Sequence, residues 1–114
     1  MNLSFTIPIK LVSSANLSEH WAKKRKREMI QKASVKYFLA PSFKKSHTIN
    51  SIELIRLGPK NLDYDNLVYA FKHIRDCISD LIHPNLAPGQ ADKDLHFTYS
   101  QQTSHDYSII INIT

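Results

Sequence analysis

Between Leu67 and Ile82 the apolar residues Leu67, Ala70, Phe71, Ile74, Ile78, Leu81 and Ile82 recur at steps of three and four, which gathers them on one stripe of an α-helix. Tyr69, Lys72, Asp76 and Asp80 fall on the other side. Such a helix must bury its stripe against a second layer, and the rest of the chain supplies strands for it. Leu3, Phe5, Ile7, Ile9 and Leu11 alternate with polar residues, and Pro8 marks this strand as an edge or a bulge. From about Ile49 to Leu57, Ile52 and Leu54 point one way and Ile55 and Leu57 the other, so this strand should be central; Gly58-Pro59 stops it. Leu95, Phe97 and Tyr99, then Tyr107, Ile109, Ile111 and Ile113, read as two more strands joined at Gln102 to His105, most simply a closing hairpin. A further helix should run from an N-cap at Ser18, with Glu19 against its dipole, to about Leu39, before Pro41. Its second half carries an apolar stripe of Met29, Ile30, Ala33, Tyr37 and Phe38, whereas Lys23, Lys24, Arg25, Lys26 and Arg27 surround its first half. The expected fold is α+β: a single mixed β-sheet with packed helices, in the order β-α-β-α-β-β, forming one domain over residues 1–114.

At 114 residues the chain can bury one core and has no room for two. Its 42% hydrophobic and 22% charged residues argue against disorder throughout. The lone Cys77 cannot form an internal disulfide, and neither a signal segment nor a membrane span is legible, so a soluble, cytoplasmic protein is expected. The net charge of +5 is unevenly placed. Residues 1–60 hold twelve Lys and Arg against three Asp and Glu, and residues 61–114 hold three against seven. A basic half suits a polyanion, and an acidic half suits divalent cations.

Two acidic pairs stand out. Asp63-Tyr64-Asp65-Asn66 lies where the central strand gives way to the strongest helix, and two carboxylates one residue apart can turn toward a shared cation. The plainer alternative is that one of them caps the helix. Asp92-Lys93-Asp94 precedes the Leu95 strand and is either a turn or a second set of ligands. If the pairs converge, three or four carboxylates could hold one or two Mg²⁺ ions that activate water and stabilise charge developing on a phosphate. Lys72 could neutralise a phosphate oxygen or pair with Asp76, and Asp76 could equally join the metal site.

The block Lys23 to Arg27, with His20 and Trp21 beside it, suits phosphate contacts with DNA or RNA; a solvated helix end or an import tag are the alternatives. His73, Cys77 and His83 lack a fourth ligand at zinc spacing. There is no nucleophile elbow, and two glycines cannot build a phosphate-cradling loop.

The run Leu62-Asp63-Tyr64-Asp65-Asn66-Leu67, followed by Lys72 and Asp76, resembles the Asp-x-Asp-Asn motif of the RusA family of Holliday-junction resolvases, particularly its divergent phage and prophage members. Asp92-Lys93-Asp94-Leu95 falls where that family has a downstream acidic pair, and Phe97 to Gln101 resembles the strand that follows. Asn16 to Arg27 is similar to its basic segment after the first strand, and Arg56 to Pro59 to the run before the acidic motif. The resemblance implies a RusA-like fold and a homodimeric endodeoxyribonuclease, dependent on Mg²⁺ or on Mn²⁺ in its place, that cuts four-way junctions or other branched DNA in recombination and repair. Carried over, Asp63, Asp65 and Asp92 would be catalytic carboxylates holding the metal, with Asp92, Asp94 or Asp76 completing its site, Lys72 the catalytic lysine and Lys23 to Arg27 the DNA contacts. Two positions depart from the pattern: Tyr69 stands where the better-known members have the lysine, and Ala91 where an acid is common. The reading from a different class is a DNA-binding protein that keeps the fold without cutting; a third is an interaction protein that binds no nucleic acid.

Overall fold

The computed structural model describes residues 2–13, 21–43, 49, 51–84 and 95–114. The element order is β1 (Leu3–Ile7), α1 (Trp21–Leu39), a 3₁₀ turn (Ala40–Phe43), β2 (Ser51–Gly58), α2 (Tyr64–Ala70), α3 (Lys72–Ile82), β3 (His96–Thr103) and β4 (Ser108–Ile113). The expected N-cap at Ser18 lies outside the described residues. The protein is α+β, with one mixed four-stranded sheet in the order β1-β4-β2-β3. β2 runs parallel to β3 and antiparallel to β4, which is antiparallel to β1.

The sheet is covered by helices on one face. Ile7 of β1, Ile109, Ile111 and Ile113 of β4, and Ile52 and Leu54 of β2 meet Val35 and Leu39 of α1, Leu67 of α2, and Ile74 and Ile78 of α3 in one buried cluster. The other face is largely polar, and Ser4, Asn112 and Glu53 form a ladder across three strands, with Ser4 Oγ donating to Asn112 Oδ1 at 2.6 Å and Asn112 Nδ2 to Glu53 Oε1 at 2.8 Å.

The expected closing hairpin is not formed. β3 and β4 are consecutive in sequence, yet β2 lies between them. The reason is in the side chains: β2 and β4 carry apolar residues toward both faces, whereas the outer face of β3 is His96, Thr98, Ser100 and Gln102, all exposed. Two doubly apolar strands lower the free energy most by pairing in the centre, which leaves β3 to the edge. Four residues, 104–107, cross the end of β2, and Ser104 N donates to Gly58 O at 2.8 Å on the way. A side chain at Gly58 would meet the Tyr107 ring at 3.0 Å, so glycine is what lets the crossing pass so close.

Three further expectations are corrected. β1 ends at Ile7, because Pro8 has no N–H to continue the ladder; Ile9 N turns back to Ile7 O at 2.8 Å, although Ile9 and Leu11 remain buried. The second helix is interrupted at Phe71, which separates α2 from α3 while staying wholly buried. The apolar stripe of α1 faces outward: Met29, Ile30, Tyr37 and Phe38 are exposed, and Gln31, Val35 and Leu39 make the inward line at i, i+4 and i+8. Gln31 can be buried because both ends of its amide are bonded, Nε2 to Lys10 O at 3.1 Å and Oε1 to His73 Nε2 at 2.5 Å.

Candidate functional site

Asp63 and Asp65 stand at the start of α2, both exposed. Asp63 occupies the N-cap position, but its carboxylate makes no capping hydrogen bond. The plain structural explanation for that residue is therefore unrealised, and its carboxylate oxygens face solvent rather than the helix.

The segment that delivers Asp63 is tied down residue by residue. Arg56, only 2% exposed, donates from Nε to Leu11 O at 2.7 Å and from Nη1 to Lys60 O at 2.8 Å. Burial lowers the pKa of its guanidinium, and nearby Tyr107 acts the other way. Thr103 Oγ1 reaches Asn61 Oδ1 at 3.5 Å. Gln101 clamps the backbone of Leu62 from both sides: Nε2 donates to Leu62 O at 2.6 Å, and Oε1 accepts from Leu62 N at 2.8 Å. An edge strand thus fixes the residue before Asp63 as a neighbouring strand would.

A cleft of about 270 Å³ opens between α1 and α3. Lys24, Arg27, Glu28, Gln31 and Lys32 line it from α1, Tyr69 from α2, and Lys72, His73 and Asp76 from α3. Four cations against two carboxylates leave it positive. Lys24 Nζ donates to Tyr69 Oη at 3.2 Å, lies 5.4 Å from the ring centroid and is 4.0 Å from Glu28. Asp65 stands four residues before Tyr69 in α2, about one helical turn away, and neither Asp63 nor Asp65 lines the cleft.

His73 is the cleft's perturbed group. Burial pushes its imidazole down to about 4; Glu28 opposes this, and Lys32, Arg27 and Lys24 add to it. Since Gln31 Nε2 donates to Lys10, its Oε1 must accept, so the neutral ring carries its proton on Nε2. The unfolded chain binds more protons than the folded one between about pH 4 and 6.5. Stability from neutral His73 is therefore complete above pH 6.5 and lost as pH falls toward 4, by at most about 3 kcal/mol. Urea unfolding of the wild type should show this loss, and His73→Gln should flatten it; an equally steep fall in the variant would assign it to other groups.

The structure brings Lys72 and Asp76 to one wall of the cleft and keeps Asp63 and Asp65 together at the head of α2. Asp92 and Asp94 lie outside the described residues. Among the described residues no group of three His, Cys, Asp or Glu is placed to hold a metal ion. Lys23 to Arg27 are spread around α1, with Lys24 on the cleft, Lys23 on the opposite flank, Arg27 bordering both, Arg25 on the outer face and Lys26 between that face and the opposite flank. Cys77 is half-buried, its Sγ 3.6 Å from Lys32 O, and burial pushes its thiol up. The sequence gives no warning of the Gln101 clamp or the Gln31–His73 bond, since a polar residue on an edge strand or a helix reads as solvated. No helix among the described residues is long and apolar enough to cross a membrane. No protein-family model matches the chain, and no curated protein matches it.

Proposed function

We propose that the protein is a Mg²⁺-dependent endodeoxyribonuclease of RusA type that resolves Holliday junctions or related branched DNA. The observation that carries the reading is a cation-lined cleft to which α2 contributes Tyr69, the same helix that bears the exposed Asp63 and Asp65 at its head. Lys24, Lys32 and Lys72 attract the sugar-phosphate backbone into the cleft and offset charge building on the phosphate oxygens. Lys24 sits on Tyr69, the position where the resembled family has its lysine, so α1 supplies an ammonium there while Lys72 supplies one from α3. Asp63 and Asp65 would hold the metal, with Asp92 or Asp94 as further ligands. When bound, Mg²⁺ contributes Lewis acidity and lowers the pKa of the attacking water. The clamp of Gln101 on Leu62 keeps Asp63 in place during the reaction, which makes Gln101 a positioning residue. A homodimer would present two such sites to a two-fold symmetric junction.

A second reading, a DNA-binding protein that does not cut, is favoured by Tyr69, which stands where the resembled family has its lysine. Incubating the purified protein with a synthetic four-way junction, with and without Mg²⁺, separates the two. Paired nicks on opposed strands that require the metal support the nuclease; tight binding without nicks supports the second reading, and no binding at low salt excludes both.

A further inference from the structure

The outward side of α1 is mainly apolar. Trp21, Met29, Ile30 and Tyr37 are 68%, 61%, 58% and 79% exposed, so large side chains that would ordinarily be covered face away from the domain. A shallow depression of about 390 Å³ lies among the first three of them. Five of the seven residues around it are apolar, Trp21, Met29 and Ile30 being the largest, and the other two are Arg25 and Lys26. Tyr37 stands one turn beyond Ala33 at its rim. Beside it a groove of about 560 Å³ runs between α1 and the segment after β1, and shares Lys26 and Ile30 with the depression. Pro8, Ile9 and Val12 give this groove an apolar lining, Lys23 is among its cations, and no carboxylate lines it.

Exposed apolar groups gathered in this way mark a place where another molecule sits, and the charges around them restrict which. α1 carries seven Lys and Arg and a single acid, Glu28, which lies on the cleft side. A second copy seated on the same face would bring Arg25 and Lys26 close to their own counterparts, at a cost in repulsion. A nucleic-acid backbone would satisfy the cations but set Trp21, Met29 and Ile30 against a polar surface. A membrane-surface helix keeps its cations on the face away from its apolar residues, whereas Arg25 and Lys26 stand among theirs. A protein segment that mixes carboxylates with large apolar side chains matches both components, and Trp, Met and Arg are residue types that protein interfaces favour.

From this arrangement we infer that the outer face of α1 and the groove beside it dock an acidic, apolar-rich segment of a different protein. The large side chains of that segment enter the depression and the groove, and its carboxylates meet Lys23, Arg25 and Lys26. The site lies on the side of α1 away from the cleft, so a partner held there leaves Lys24 and Lys72 clear.

The test is selection from a library of short random peptides on the immobilised wild-type protein. The most enriched peptide is then synthesised and titrated by fluorescence anisotropy against wild type, Lys26→Glu and Met29→Lys. Enriched peptides should carry net negative charge together with Leu, Phe or Trp, and each variant should weaken binding about 10-fold or more. Met29→Lys is the sharper of the two, because it adds a cation while removing an apolar contact. Both residues are exposed, so unchanged melting temperatures confirm that the fold is not the cause. Enrichment without acidic or without apolar residues, or binding that Met29→Lys leaves unchanged or strengthens, would overturn the inference. So would three results that give the face to another occupant: a wild-type dimer that Met29→Lys splits in sedimentation, duplex DNA that displaces the peptide and is held more tightly by Met29→Lys, or anionic phosphatidylserine vesicles that bind the wild type and lose that binding in Met29→Lys. None of these measurements depends on cleavage, so the nuclease reading stands or falls separately.

Discussion

Asp65→Asn should reduce Mg²⁺-dependent junction cleavage on the order of 100-fold or more, while binding measured in Ca²⁺ stays within about 3-fold of wild type. The substitution keeps the size and shape of the side chain and removes one charge. Asp65 is exposed in the first turn of α2, so its effect on the fold is confined to a small loss of favourable interaction with the helix dipole. In the proposed function, binding energy would come mainly from the lysines and arginine that line the cleft, and these are untouched. Chemistry and binding therefore separate, and quantified nicking beside a gel-shift titration reads both. Cleavage by Asp65→Asn at the wild-type rate would remove the acidic pair from the mechanism, and a matching collapse of binding would make Asp65 a structural residue.

Phe71→Ala should destabilise the protein by about 3–5 kcal/mol and lower its melting temperature by roughly 10–20 °C. Phe71 has no exposed surface, sits at the break between α2 and α3, and lies 6.0 Å from the Tyr99 ring on β3. It is bonded on both sides, its N–H to Leu67 O at 3.3 Å and its carbonyl to Arg75 N at 2.8 Å. Removing the ring leaves a cavity beneath the joint that sets α2, with its acidic pair, relative to α3, with Lys72. Phe71→Leu should recover about half of the loss, because it refills much of that space. Chemical denaturation measures both variants, and a cost below about 1 kcal/mol for Phe71→Ala would mean that the joint is not anchored there.

Much of this architecture is legible in the residue pattern, and the parts that are not have separate causes. Alternation at 51–57 and 107–113 identifies strands and shows that both are doubly apolar, but alternation carries no information about which strand lies beside which. Shortness of the 104–107 connection favours a hairpin, and the need to bury Ile55 and Ile110 overrides it. The interruption at Phe71 has no glycine or proline to announce it, and the three- and four-residue steps continue through it. The orientation of α1 is misread because apolar residues are assumed to face inward, while Gln31 is held inside by two partners far away in sequence. At the candidate site the acidic pair at 63 and 65 and the wall at 72 and 76 follow from spacing alone. The cationic wall opposite them comes from a different helix, and its approach to Tyr69 is a tertiary event.

The placement of β4 has a consequence for how the chain reaches its native state. Within the sheet, β1 is joined only to β4, with Leu3 opposite Ile113, so two segments about as remote in sequence as this chain allows must meet before either is satisfied. Until residues 108–113 are available, β1 is a lone extended segment and β2 has one flank bare. Bringing segments so distant in sequence together costs chain entropy before the pairing rewards it, which predicts slow, high-contact-order folding. In the interval the bare flank of β2 is a template for pairing with another molecule.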